Sequence, residues 1–356
     1  MAEPSPTVSI IVPCRDEGDR IETCIRSILE QNFRAGGFEV IVSDGMSGDE
    51  TRRILTRLTA INANLRVIDN PGRIVSTGLN EAINIARGKI IIRMDAHTEY
   101  APDYVQQCVN TLAETGAENV GGPWLPLGIG LTSCAIAAAF QSPFVAGGAK
   151  AHDVNYEGIV DTVYLGCWPR TVFERVGLFD EALVRNQDDE FNLRLTRAGG
   201  KIWQSPRIKS WYRPRASLSS LFKQYMQYGY WKVRVIQKHK IPAAFRHLIP
   251  GCFVFLLLLL PLLGLWLPTA AWAWLALVGT YVICNLFAST ITAARTRLKF
   301  ITLLPTIFAC YHIGYGYGFL RGSWDFIILK RKPHPAYSTL TRAPGHPVRT
   351  PQNPSR

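Results

Sequence analysis

The sequence is poor in cysteine, and its cysteines are poorly placed for chemistry. Eight Cys are scattered over 356 residues and no two form a CxxC pair. That excludes a disulfide scaffold and argues against a zinc ribbon or a thioredoxin-type site. No GxGxxG follows the first apolar strand, and no GxxxxGK[ST] occurs anywhere. The dinucleotide-binding and P-loop readings therefore lose their signatures. Gly 29 and Pro 22 are ordinary counts, so collagen-like and low-complexity classes fall away. A charged content of 19% and an aromatic content of 11% exclude a mainly disordered chain.

Acidic residues almost vanish from the C-terminal third. Residues 249–356 hold one acid, Asp325, against ten Lys and Arg, whereas residues 1–248 come to only +3. Charge of either sign is missing from His247 to Ala294, 48 residues without Asp, Glu, Lys or Arg. A membrane span needs about 20 apolar residues. The stretch therefore predicts two helices, 250–267 and 271–291, turning at Pro268 and Thr269. A third apolar segment, 300–320, is interrupted by Tyr, His and Gly, and is expected either to span or to re-enter. The basic excess flanks these segments, which reads as membrane-surface charge and not as a nucleic-acid footprint. Residues 1–7 are polar and the apolar run after them is short, so no secretory leader is expected and the N-terminal domain is placed in the cytoplasm. Residues 216–248 are amphipathic, aromatic and basic, as in helices lying on a membrane surface. The basic tail, 322–356, is expected to be disordered.

The remaining residues, 1–215, alternate strand and helix patterns. Strands are predicted at Val8–Val12 (stopped by Pro13), Phe38–Val42, Leu65–Ile68 and Lys89–Met94. Between them, Ile21, Cys24, Ile25, Ile28 and Leu29 form an apolar helical face, and Glu50–Leu58 and Ser76–Arg87 also read as helices. This order implies a parallel sheet, with ligands at the carboxyl ends of its strands. Acids collect there: Asp16 and Glu17 after the first strand, Asp44 after the second, Asp95 with His97 after the fourth. Carboxylates at strand tips are costly unless they meet a ligand, a metal or donors. With no glycine-rich phosphate loop, a divalent cation on Asp95 and His97 is the natural way to hold a diphosphate, Mg²⁺ and Mn²⁺ both suiting oxygen and imidazole ligands.

Four motifs carry a resemblance over about residues 7–235. They are VSIIVPCRDEGDRIETCIRSIL (8–29), EVIVSDGMSGDET (39–51), RGKIIIRMDAHTEY (87–100) and FDEALVRNQDDEFNLRLTRAG (179–199). In this order and spacing the chain resembles the membrane-associated family 2 glycosyltransferases, most of all those of the succinoglycan type. The fold this implies is α/β: a GT-A domain (Rossmann-like, the nucleotide-diphospho-sugar transferase fold) followed by an α-helical membrane region. The resemblance puts Pro13, Arg15 and Glu17 around a uridine, Asp44 at the uracil or ribose, and Asp95 and His97 at the DxD that carries metal and donor diphosphate, with His replacing the last Asp. Arg73 and Asn80 are expected in the same pocket. Gln187-Asp188-Asp189-Glu190 occupies the place of the family's E-D-x-[DE], with Gln for the first Glu. Asp188 is the expected catalytic base and Asp189 the fallback. Trp168 and Arg170 are expected on the acceptor side with Gln187 and Glu190, and Trp231 and Lys232 near a diphosphate.

The resemblance implies an inverting transfer of a hexose, with UDP-glucose as the expected donor and Mn²⁺ or Mg²⁺ as cofactor. The acceptor is a polyprenyl-diphosphate-linked sugar at the cytoplasmic face of a bacterial inner membrane, in exopolysaccharide biosynthesis. Partner glycosyltransferases of the same pathway are expected. Processive relatives carry QxxRW in the region of Gln224–Lys232, and this chain does not, which favours single addition over a processive synthase. A non-catalytic scaffold and a nucleotidyltransferase are the other rivals.

Overall fold

The computed structural model describes residues 6–33 and 36–339. Three βα units open the chain. β1 (Val8–Cys14), β2 (Phe38–Asp44) and β3 (Leu65–Asp69) alternate with α1 (Ile21–Leu29), α2 (Thr51–Thr59) and α3 (Val75–Ile85), and β4 (Ile90–Arg93) follows. Then come β5 (Thr98–Tyr100), α4 (Tyr104–Thr115), β6 (Asn119–Gly122), β7 (Leu125–Pro126), α5 (Gly130–Phe140) and α6 (Pro143–Ala146). β8 (Gly158–Ile159), β9 (Tyr164–Pro169), α7 (Thr171–Val176), α8 (Gln187–Arg197), β10 (Ile202–Gln204) and β11 (Ser210–Tyr212) complete the α/β part. Four helices end the fold: α9 (Leu218–His239), α10 (Ile249–Gly264), α11 (Pro268–Arg295) and α12 (Leu304–Ser323).

The main sheet runs β3-β2-β1-β4-β9-β6-β10-β8, and β5-β11-β7 form a small second sheet. β1 is parallel to β2 and β4, while β9 is antiparallel to β4 and β6. The carboxyl ends of β1 to β4 therefore share one edge. Successive β1 side chains alternate between two cores, as strand geometry requires. Val8, Ile10 and Val12 pack with Ile21, Ile25 and Ile28, whereas Ile11 packs with Leu79, Ile83 and Phe191 on the other face. Ile25 is fully buried, and Ile25→Ala costs about 2–5 kcal/mol.

Pro13 does not end β1, which pairs with β2 as far as Cys14. Ile11 O accepts from Met94 N on the β4 side. Two residues on, the N–H that proline lacks would point the same way, where β4 has already ended at Arg93. No ladder bond is lost.

The C-terminal helices fall into two kinds. Phe245–Gly264 and Pro268–Arg295 are long and apolar enough to cross a membrane, with mean hydropathies of 2.2 and 1.6 and only 11% and 17% of their most apolar windows buried. A soluble protein's core helix would be mostly covered; these present Phe255, Leu258, Trp272, Ile283 and Phe287 outward. α12 differs. The segment expected to span or re-enter is one continuous helix lying lengthwise on α9. Gly314, Gly318 and Gly322 face the carbonyls of Phe222, Met226 and Tyr230 in turn, and Gly229 faces Tyr315 O. A matched step of four residues on both helices means that they run parallel, with backbones in the close approach that small residues permit.

Two expectations are corrected by this packing. α9 is not simply a surface-lying helix: Leu221, Gln227, Tyr230, Trp231, Lys232 and Val235 are all buried. Nor are residues 322–339 disordered. A π-helical turn, Trp324–Ile328, extends α12. Tyr337 stacks on Tyr230 at 4.1 Å, and Trp231 Nε1 donates to Tyr337 O at 2.9 Å. Burying Phe326 and Tyr337 against α9 outweighs the polar look of the segment. Residues 340–356 of the expected disordered tail lie outside the described residues.

Candidate active site

One cavity of about 1500 Å³ runs from the tips of β1 and β4, past the start of α8, to Pro250, Tyr311 and Tyr315 beside the apolar helices. Its far ends are built differently.

At the strand tips, the loop after β1 is tied to the loop after β2. Asp16 takes a left-handed φ of 52°. Asp16 N donates to Ser47 Oγ at 2.9 Å, and Asp16 Oδ1 accepts from Gly48 N at 2.8 Å. Glu17 N donates to Thr51 Oγ1 at 2.8 Å. These bonds hold Pro13, Arg15 and Glu17 on the wall, with Arg73 opposite. Arg15 Nη1 donates to Arg73 O at 3.4 Å, joining the two arginines at the rim.

Asp95 follows β4. Both its oxygens accept from Arg93, at 2.8 and 3.1 Å, and the pair is nearly buried. Burial opposes the charge on Arg93, and Asp95 more than restores it, so the guanidinium is held above its usual range. His97 lies between two carboxylates, with Nδ1 3.5 Å from Glu17 Oε1 and Nε2 4.0 Å from Asp95 Oδ2. Two carboxylates and an imidazole on one wall suit a divalent cation in donor chemistry. Among the described residues no group of three such side chains is already gathered tightly enough to hold an ion, and Arg93 shares Asp95. The donor types fit; the assembled geometry is not in place.

The other acids stand at the first turn of α8. Asn186, at φ 60°, precedes the helix and its Nδ2 donates to Tyr228 O at 2.9 Å. Arg185 Nε donates to Gln227 Oε1 at 3.2 Å, and Lys232 Nζ lies 2.5 Å from Asp189 Oδ2. α9 thus clasps the start of α8. The two neighbouring carboxyls diverge in consequence. Burial, then Asp189, raise Asp188, against the opposing pull of Arg93 and Lys232. Burial would raise Asp189 too, but Lys232, with His247 and Arg246 behind it, carries it below the ordinary carboxylate value. A raised, cavity-facing carboxylate is the better proton acceptor.

Several sequence-nominated residues do not reach this cavity. Asp44 is fully buried: Oδ1 accepts from Ser47 N at 3.2 Å and Oδ2 pairs with Arg52 at 2.9 Å, so it shapes the loop behind the wall. Asn80 clamps Phe179, donating to its O at 2.9 Å and accepting from its N at 3.0 Å. Trp168 sits in an aromatic core with Phe173, Phe179 and Phe191. Arg170 N donates to Lys89 O, at the start of β4 and therefore at the opposite edge of the sheet. Glu190 is buried in a cluster with Arg194, Lys238 and His239 that locks α8 to α9. Trp231 is core. Gln187 and Lys232 do line the cavity.

The structure adds residues that the sequence did not single out. Arg93 is one; its position two before Asp95 on an alternating strand was the available signal. Trp124, Phe140, Tyr164 and Tyr212 are the others, an aromatic wall whose rings lie 5.7–6.4 Å apart from neighbour to neighbour. Such faces offer the cavity a stacking surface, in place of the buried Trp168.

A sheet of this order, with acids at its strand tips and a carboxylate-bearing helix across the cavity, is a GT-A-like arrangement, and the relatives give its class. Residues 9–137 match the model of glycosyl transferase family 2. The chain is a glycosyltransferase carrying a domain of that family. It is 29% identical over 320 residues to the succinoglycan biosynthesis protein ExoA of Rhizobium meliloti, covering 89% of this chain and 95% of that one. It is 27% identical to the dolichyl N-acetyl-alpha-D-glucosaminyl phosphate 3-beta-D-2,3-diacetamido-2,3-dideoxy-beta-D-glucuronosyltransferase of Methanococcus voltae, covering 88% and 96%. In fold it is similar to the mannosyltransferase PcManGT of Pyrobaculum calidifontis, solved in complex with GDP-Man and Mn²⁺, at 18% identity and a TM-score of 0.56 over 88% of this chain and 87% of that one.

Proposed function

We propose that this glycosyltransferase moves a hexose, with UDP-glucose as the expected donor, onto a hydroxyl of a polyprenyl-diphosphate-linked sugar in exopolysaccharide biosynthesis, inverting the anomeric centre. The observation that carries the reading is the single cavity joining the strand tips to Asp188 and on to the first apolar helix. Donor, proton acceptor and lipid-linked acceptor then share one space. The names of the relatives point the same way: one belongs to succinoglycan biosynthesis, the other to transfer onto a dolichyl-linked sugar phosphate. The catalytic domain is placed on the cytoplasmic side, with α10 and α11 in the inner membrane.

In this reading Pro13, Arg15 and Arg73 hold the nucleoside end of the donor. Glu17, Asp95 and His97 are the residues that would hold Mn²⁺ or Mg²⁺, which supplies Lewis-acid charge for a leaving diphosphate. Asp188 accepts the proton of the acceptor hydroxyl as its oxygen bonds to the anomeric carbon. The bond from that carbon to the diphosphate breaks, and its electron pair leaves with the nucleoside diphosphate. Asp189, neutralised by Lys232, orients the turn that presents Asp188. The aromatic wall of Trp124, Tyr164 and Tyr212 supports the sugars.

The test is an assay of detergent-solubilised full chain with Mn²⁺, UDP- and GDP-sugars and a polyprenyl-diphosphate sugar, read for nucleotide release and lipid product. One larger lipid with stoichiometric UDP supports the proposal. A ladder of products would make the enzyme a processive synthase, and release of pyrophosphate a nucleotidyltransferase.

A further inference from the structure

The membrane-side end of the cavity gathers groups that the transfer reaction itself does not require. Lys232 and Arg246 line it together with His247 and Tyr315, while Arg213, elsewhere on the cavity lining, is paired with Glu99 of β5 at 2.8 Å. Two polar atoms there are buried without a hydrogen-bond partner among the described residues, His247 Nδ1 and Tyr315 Oη. Buried polar groups are normally satisfied, so an orphaned pair on one cavity wall points to a missing ligand. Its chemistry must be anionic and rich in acceptors. Arg246 and His247 form the turn immediately before α10 (Phe245–His247), the first apolar helix. Arg246 is paired with Asp161, and Gly147, at φ 56°, closes over its side chain. Lys232, with a side chain 5% exposed, reaches the same place from α9. A lipid's phosphates sit at this depth, where the apolar span meets the polar domain, and basic pockets beside spans bind such headgroups.

We infer that Lys232, Arg246, His247 and Tyr315 form a subsite for the phosphate or diphosphate that joins the acceptor's sugar to its lipid. The subsite rests on the lipid-linked acceptor proposed above. It sets specificity: the enzyme recognises the acceptor by its phosphates as well as by its sugar, and the nearby Asp189–Lys232 pair ties that recognition to the turn bearing Asp188.

The experiment compares three acceptors bearing the same terminal sugar: a lipid diphosphate, a lipid monophosphate, and an alkyl glycoside with no phosphate. Arg246→Gln and Tyr315→Phe are made in the full chain, with Arg246→Lys to restore charge, and donor binding is measured for each to establish folding. The expected result is a rise in acceptor KM of tenfold or more for the phosphate-bearing acceptors in Arg246→Gln, a smaller rise in Tyr315→Phe, and recovery in Arg246→Lys. The alkyl glycoside and donor affinity should change less than twofold. Equal losses on all three acceptors, or a wild type indifferent to the phosphates, would overturn the subsite while leaving lipid-linked transfer intact. A wild type that uses only soluble glycans would overturn both.

Discussion

The two ends of the cavity are made in opposite ways. The strand-tip end is assembled by loops 14–18 and 44–51, which bond to one another across adjacent parallel strands, so Ser47, Gly48 and Thr51 fix Asp16 and Glu17. The far end is assembled by helices distant in sequence. Asp189 meets Lys232 across 43 positions, and Tyr311 Oη reaches Ile136 O across 175. The first end depends on a local fold that its own sheet enforces; the second exists only while α9 and α12 stay docked. Changes at the first should alter donor and metal affinity alone. Changes at the second should disturb stability and acceptor handling together.

The largest effect tests the residue at the junction of the two ends. Asp188→Asn keeps the shape of the turn but cannot take a proton, and turnover should fall by about 10³-fold or more. Nucleotide-sugar affinity, measured by titration, should stay within about twofold of wild type, because the donor end is untouched. A variant that loses donor binding instead would remove Asp188 from the role of base.

Next comes the helix pair that carries the second end. A Cβ at Gly318 falls inside contact distance of Met226 O, and that neighbour is backbone, which cannot swing away. Gly318→Leu must part α12 from α9, costing about 1–3 kcal/mol or more. The melting temperature should drop, and acceptor KM should rise with it because Lys232 moves with α9. Gly279 has nothing within contact distance of an added Cβ and lies on outward-facing α11, so Gly279→Ala should leave both readings unchanged. A stable, fully active Gly318→Leu would refute the close packing.

These dependences explain what could be read from the chain in advance. β1 to β4 and their helices were legible because the β-branched runs and the i, i+3, i+4 spacing are local signals, and the acids at their tips followed from topology. Asp44 was misplaced because position after a strand says nothing about which way a side chain turns, and Asn80 because its place on α3 does not reveal that its amide is taken by the Phe179 backbone. Trp168 and Trp231 were placed at the substrate through the resemblance, yet their rings close two separate cores. Glycines two apart in 314–318 looked like interruptions of a span. The meaningful step is four, visible only once 322 is aligned with Tyr230 on α9, a helix that ends at His239, well before α12 begins at Leu304. The tail 322–339 was misjudged for the same reason: its partners, Tyr230 and Trp231, lie a hundred residues away.

A smaller effect belongs to the strand-tip end. His97→Ala removes the imidazole between Glu17 and Asp95, and the Mn²⁺ concentration for half-maximal activity should rise by about tenfold. Acceptor KM and melting temperature should hold. An unchanged metal titration would take His97 out of the ligand set and leave Arg93 as the principal partner of Asp95.

The subtlest effect is in pH dependence, and its sign is fixed by the groups around Asp188. The proposed base must be ionised to take a proton, so kcat/KM should fall as pH drops through its pKa. Burial and then Asp189 push that carboxyl above the ordinary Asp value of about 3.9, while Arg93, the Asp189 N–H and Lys232 pull it back. The acid limb of the wild-type profile should therefore lie above the ordinary value. Lys232→Met removes one of the opposing cations and also stops neutralising Asp189, whose negative charge then acts on Asp188 undiminished. Both changes favour the protonated form, so the limb should move to higher pH while the maximum rate at alkaline pH falls less than in Asp188→Asn. A limb that stays in place would mean that the proton acceptor is not in contact with this pair, and that the clasp between α8 and α9 serves the fold alone.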